Sequence, residues 1–183
     1  MKDLSLHILD IAQNAIDAGA KNIWITVEED TTKNTFVIRI EDDGCGMSRE
    51  VLEQVTDPYY TSRVTRKVGL GIPLFKQNAE QTGGYLKMMS EPGKGTIAEA
   101  VFVHDHIDRP DLGDIAGVMV LLIGGKPDIR FRYLHKKDGM HYTADTKELE
   151  EALEDMPVSD PGILKGIKEM IIENLKDIGV ITC

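Results

Sequence analysis

Cysteine is nearly absent from this chain. Only Cys45 and Cys183 occur among its 183 residues. Their wide separation offers neither a disulfide framework nor the paired spacing of a zinc site. That scarcity fits a reduced compartment, so a cytoplasmic location is the expectation, and a chain of this length buries a core large enough to fold without covalent staples. Long apolar runs are missing too. The longest, at 118–123, falls far short of the roughly 20 residues that a membrane crossing needs, and no signal peptide is expected. Basic residues are outnumbered, 21 Lys and Arg against 31 Asp and Glu, for a formal net charge of −10. Such a balance repels a phosphate backbone unless cations gather on one face. The best cluster, Arg63, Arg66 and Lys67, is short, so a nucleic-acid partner is not expected.

What is present reads as alternating helices and strands. Residues 3–18 carry Leu6, Ile8, Leu9, Ala12, Ala15 and Ile16 on one broad arc, and Gly19 stops the run. On the complementary arc His7, Asp10, Asn14 and Asp17 recur three and four apart, the spacing that lines up one face of a helix. Residues 23–27 and 36–41, rich in β-branched side chains, predict a hairpin. Ser48 is placed to cap a short helix, and another helix starts near Gly71-Ile72-Pro73 and stops at Gly83-Gly84. Strands at 85–90 and 96–104 follow, joined by the turn Glu91-Pro92-Gly93-Lys94-Gly95. The whole predicts an α+β chain with helices layered on a mixed sheet. The Asp-, Pro- and Gly-rich stretch 105–113 reads as a linker. It separates a domain at 1–104 from a small α/β unit at 114–183, made of a buried helix, a hairpin and two more helices.

Four segments carry the chemistry. The first is the polar face of the opening helix, His7 to Asp17. The second is Asp42-Asp43-Gly44-Cys45-Gly46-Met47, where glycines permit tight backbone turns after a strand. The third runs from Asp57-Pro58-Tyr59-Tyr60-Thr61-Ser62-Arg63 through Lys67 to Gly69-Leu70-Gly71. The fourth is the turn ending in Gly95-Thr96. A short glycine motif alone recurs by chance, but these four segments together in this order do not.

Together these segments, over roughly the first 100 residues, resemble the nucleotide site of the GHKL ATPase superfamily, with the late segments closest to its histidine-kinase branch and the first closest to its mismatch-repair branch. The resemblance implies a Bergerat ATP-binding fold, a two-layer α/β sandwich, with ATP and Mg²⁺ as cofactors. Asn14 takes the magnesium position, where a neutral amide oxygen joins phosphate oxygens and waters. Asp10, four residues earlier, stands where ATPases of the family place a water-activating glutamate, one methylene shorter. Asp42 would accept the adenine amine, because an ionised carboxylate can only accept. Gly44 and Gly46 would lie against the purine and Thr96 near it. Tyr60, Thr61, Arg63 and Lys67 would form a lid, and Gly69, Leu70 and Gly71 would aim backbone N–H groups at phosphates from a helix start. Asp17 stands where histidine kinases commonly carry a phosphate-reaching cation.

No dimerisation helix with an accepting histidine precedes Met1 in this sequence, so the expectation is an ATP-binding regulatory protein that transfers phosphate in trans to a partner protein. The alternatives are an ATP-gated binding module and a slow ATPase of mismatch-repair or chaperone type. The C-terminal unit is expected to supply a partner or homodimer surface.

Overall fold

The computed structural model describes residues 3–55, 71–154 and 156–181. Helix α1 (Leu4–Asp17) opens on Asp3, whose carboxylate accepts the Leu6 amide at 3.2 Å and the Ser5 hydroxyl at 2.7 Å, satisfying donors that a helix start leaves bare. The hairpin of β1 (Asn22–Asp30) and β2 (Thr35–Asp42) follows, with Ile23 opposite Asp42 and Glu29 opposite Phe36. Next come α2 (Arg49–Val55), α3 (Gly71–Gln81), β3 (Tyr85–Glu91) and β4 (Gly95–Val103). The chain is completed by α4 (Ile115–Gly125), β5 (Arg130–Lys137), β6 (Met140–Asp145), α5 (Thr146–Leu153) and α6 (Pro161–Asp177).

The six strands form one mixed sheet in the order β3-β4-β2-β1-β5-β6. Every neighbouring pair is antiparallel except β1 and β5, which run parallel from Asn22 opposite Arg130 to Glu29 opposite Lys137. Side chains alternate across a strand, and Ile23, Ile25, Val27, Phe36, Ile38 and Ile40 all point to the covered face and are buried. Against them pack Leu4, Ile8, Ala12 and Ala15 of α1, Phe75 and Ala79 of α3, and Ile115, Met119 and Leu122 of α4. Burying each Ile or Phe fully is worth about 1.5–3 kcal/mol, so this layer is what holds α1 and α3 at the sheet. Val118, Ile167, Ile171 and Leu175 belong to the same core. The segment after 114 therefore extends both the sheet and the core that the first hundred residues begin. Residues 105–113 are tied back as well, since Asp111 and Leu112 carbonyls accept the Leu4 and Ser5 amides, both at 2.8 Å. Arg109 lies 4.6 Å over the Phe36 ring.

Two buried polar features stand out, and the first departs from the sequence reading. His7, placed on the polar arc by spacing alone, is fully buried. It stacks on Phe75 with ring centroids 5.0 Å apart, and its Nε2 lies 2.8 Å from Asn78 Nδ2. The reason is that α1 packs on two neighbours, the sheet and α3, so its covered arc is wider than one apolar stripe. Burial lowers the His7 pKa, against an opposing contact from the Gly71 backbone. The second feature is Glu29, a buried carboxylate on β1 that accepts from His135 Nε2 at 2.9 Å and from His104 Nε2 at 3.1 Å. The Tyr133 hydroxyl closes the chain at His135 Nδ1.

Candidate functional site

A cavity of about 420 Å³ opens where α1, the loop after β2, and the β3–β4 hairpin converge. Helix α1 contributes Ile11, Asn14, Ala15, Asp17 and Ala18; the β2 end and its loop contribute Asp42, Cys45, Gly46 and Met47. Val55, Ile72, Met88 and Thr96 complete the wall. The lining is mostly apolar with a few polar groups, the usual make-up of a small-molecule site, and the volume lies within the usual range of about 300–1,000 Å³.

The loop 43–47 is strung between three elements. The Cys45 amide donates to the Ala18 carbonyl at 2.9 Å, the Gly93 amide to the Cys45 carbonyl at 2.8 Å, and the Met47 amide to Ser90 Oγ at 2.8 Å. Two glycines make this closeness possible. Gly46 has φ +66°, and a Cβ there would lie 2.1 Å from the Glu91 carbonyl oxygen. Gly95 has φ +97°, and a Cβ there would lie 1.9 Å from the Asp42 carbonyl oxygen. No larger residue fits either position without moving backbone.

The neighbouring carboxylates Asp42 and Asp43 divide their tasks. Asp43 faces away from the cavity and accepts the Lys21 amide at 2.7 Å, the Asn22 amide at 2.8 Å and Asn22 Nδ2 at 2.6 Å, pinning the start of β1. Asp42 is buried and lines the cavity. Its Oδ1 accepts the Gly44 amide at 2.8 Å. Burial pushes the Asp42 pKa up, the Gly44 and Thr96 amides pull it back, and the Asp43 and Glu41 carboxylates push with burial.

Asn14, Asp42, Gly46 and Thr96, separated in sequence, thus share one cavity. Gly44 backs it, because a Cβ there would lie 2.9 Å from Asp42 Oδ1 and 3.0 Å from Ala18 Cβ. Asp10 is not part of the lining. It is exposed one turn along α1, and a Cβ built on Gly71 would lie 2.8 Å from its Oδ2. Its carboxylate therefore stands at the first residue of α3, the positive end of that helix. Tyr60, Thr61, Arg63, Lys67, Gly69 and Leu70 lie outside the described residues. Among the described residues no group of three His, Cys, Asp or Glu side chains could hold a metal ion, and no helix is long and apolar enough to cross a membrane.

Sequence reasoning missed the apolar wall of Ile11, Met47, Val55, Ile72 and Met88, and it missed Ser90. Each apolar side chain is ordinary core by pattern. The only available signal for Ser90 was a small hydroxyl opposite Thr96 in the hairpin.

A family model described as histidine kinase-, DNA gyrase B- and HSP90-like ATPase matches residues 2–106, and the chain belongs to that family. Its curated relatives include sensor histidine kinases. Sporulation kinase C of Bacillus subtilis is 33% identical over 93 residues, covering 51% of this chain and 22% of that protein. Sensor histidine kinase ZraS of Salmonella typhi is 33% identical over 95 residues, covering 51% of this chain and 20% of that protein. The chain thus spans about a fifth of the length of these relatives. A crystal structure of the N-terminal domain of a DNA repair protein matches with a TM-score of 0.53 at 15% identity, covering 78% of this chain and 52% of that one. That likeness is one of fold. The α+β sandwich is therefore a histidine-kinase-like ATPase domain whose sheet continues past residue 106.

Proposed function

We propose that the chain binds ATP with Mg²⁺ in the 420 Å³ cavity and transfers phosphate in trans to a partner protein. The observation that carries the nucleotide reading is the convergence of Asn14 and Asp42 on one apolar-walled cavity. Asp42 would accept from the adenine amine, as its buried carboxylate is an acceptor when ionised. Met47, Met88, Ile72 and Ile11 would cover the faces of the purine. Gly44 and Gly46 let the loop approach it, and Thr96 sits beside Asp42.

The residues present fit Mg²⁺. This cation commonly takes only one or two protein oxygens, the rest coming from phosphates and water, so the single amide of Asn14 suffices without an acidic cluster. Bound there, the ion would neutralise charge on the phosphates. From the sequence, Arg63 and Lys67 would add charge-assisted contacts, Tyr60 and Thr61 would form the lid, and Gly69, Leu70 and Gly71 would present backbone donors. Asp10 would orient a water or an acceptor hydroxyl.

Phosphate transfer is supported by the kinase names of the relatives, and the acceptor in trans is carried by the sequence reading alone. The position of Asp10 beside the start of α3 favours a second reading, slow ATP hydrolysis. Titration calorimetry with Mg²⁺ and ATP tests binding, and the reading fails if Asn14→Ala and Asp42→Ala leave affinity unchanged. Labelled γ-phosphate then separates the activities. Label moving to a protein supports transfer; label released as phosphate, and lost in Asp10→Asn, supports hydrolysis.

A further inference from the structure

We infer that Ser90 is a positioning residue that makes the Thr96 hydroxyl a pure acceptor at the base end of the cavity, so that a 6-aminopurine is selected over a 6-oxopurine at two atoms instead of one. This rests on the nucleotide reading above. Ser90 Oγ has three partners: the Met47 amide at 2.8 Å, the Gly95 carbonyl at 2.9 Å and Thr96 Oγ1 at 2.9 Å. A hydroxyl carries one proton and two lone pairs. The Met47 amide can only donate and the Gly95 carbonyl can only accept. Ser90 therefore spends its proton on Gly95 and one lone pair on Met47, which leaves one lone pair for Thr96. That lone pair takes the Thr96 proton. The reverse orientation would set the Ser90 oxygen and the Gly95 carbonyl lone pair to lone pair at 2.9 Å.

Thr96 lines the cavity, and with its proton committed it offers the ligand only lone pairs. Asp42, beside it in the same wall, is an acceptor too when ionised. A wall with two acceptors matches an exocyclic amine, which has two protons, directly or through one water that the pair orients. A keto oxygen at the same place meets lone pairs at both. Without Ser90 the Thr96 hydroxyl is free to rotate and donate, so one of the two penalties against the keto base disappears.

The test is calorimetric affinity of the full chain for ATP and for inosine triphosphate, each with Mg²⁺. Wild type should prefer ATP strongly. Ser90→Ala should compress the ATP-to-inosine ratio about tenfold, the weight of one hydrogen bond of about 1.4 kcal/mol, while its thermal midpoint is recorded beside it. Ser90→Thr, which keeps the hydroxyl, should restore the ratio, an outcome that a merely structural role would not produce. Should Ser90→Ala not fold, Ser90→Cys carries the same test, because it keeps volume but replaces a strong donor by a weak one. A ratio equal to wild type in a folded variant that still binds ATP overturns the role of Ser90 alone. Wild type that binds neither nucleotide overturns the nucleotide reading, and this inference with it.

Discussion

His135 Nε2 stands 2.9 Å from Glu29 Oε1, at the opposite end of β1 from Ile23, the residue paired with Asp42. Glu29 only accepts when ionised, so Nε2 carries a proton, and Nδ1 is hydrogen-bonded to the Tyr133 hydroxyl. The carboxylate is thereby held between β5 and the exit of β4. Glu29→Ala should cost about 3 kcal/mol, the weight of leaving a buried polar group without its counterpart, and should not change ATP affinity. Urea unfolding and calorimetry on the same variant check the two halves.

The same carboxylate predicts an acid response. Burial alone would raise the Glu29 pKa, but hydrogen bonds from His135 and His104 win and hold it at about 2 instead of the ordinary 4.5. A lowered pKa in the folded state contributes stability that is fully present above 4.5 and is lost as pH falls through about 2. The stability gap between wild type and Glu29→Ala should therefore narrow across that window in unfolding titrations.

Asp42 is shifted in the opposite direction, and the response it predicts is in binding. Its pKa is raised, with burial as the main cause, so it takes up a proton at a higher pH than an exposed aspartate would. A protonated Asp42 no longer accepts fully from an amine, and ATP affinity should begin to fall at a higher pH than titration of an exposed aspartate would give. Calorimetry against pH should show this fall in wild type. Asp42→Asn should show weaker binding, by about tenfold or more, and a flat profile.

Gly46→Ala should weaken both fold and site. Its left-handed φ of +66° strains any L residue, and the added Cβ would lie 2.1 Å from the Glu91 carbonyl oxygen. A loss of about 1–3 kcal/mol is expected from the backbone alone, read as a lowered thermal midpoint, with a further loss of ATP affinity as the loop moves off the hairpin.

Gly71→Ala tests the placement of Asp10 without touching its chemistry. The new methyl would meet Asp10 Oδ2 at 2.8 Å and must push that carboxylate away from the start of α3. ATP binding should survive, and phosphate release should fall towards the level of Asp10→Asn. Equal release by wild type and Gly71→Ala would remove Asp10 from the chemistry.

Much of this arrangement was legible because local chemistry agrees with it. Asp42 sits at a strand end followed by two glycines whose freedom the turn needs, and the α1 spacing put Asn14 and Asp17 on one face. His7 was not legible, since nothing in a period of three and four reveals that α3 covers a second side of α1. Choosing Asp42 over Asp43 rested on resemblance; the division of labour between them became physical only with β1 in place to occupy Asp43. The parallel pairing of β1 with β5 was invisible for a different reason. The strands are more than a hundred residues apart, and their side chains alternate in the same way beside any neighbour.

That pairing has a consequence for how the chain is made. When a ribosome has delivered the region through residue 106, β1 has only β2 beside it, and its other edge, including Ile23, Ile25 and Val27, has unpaired backbone groups until residues 130–137 emerge. An open edge rich in β-branched residues templates pairing with other chains. The interval before β5 arrives is therefore when a nascent chain is most exposed to self-association, and a polypeptide ended at residue 106 would carry that exposure permanently.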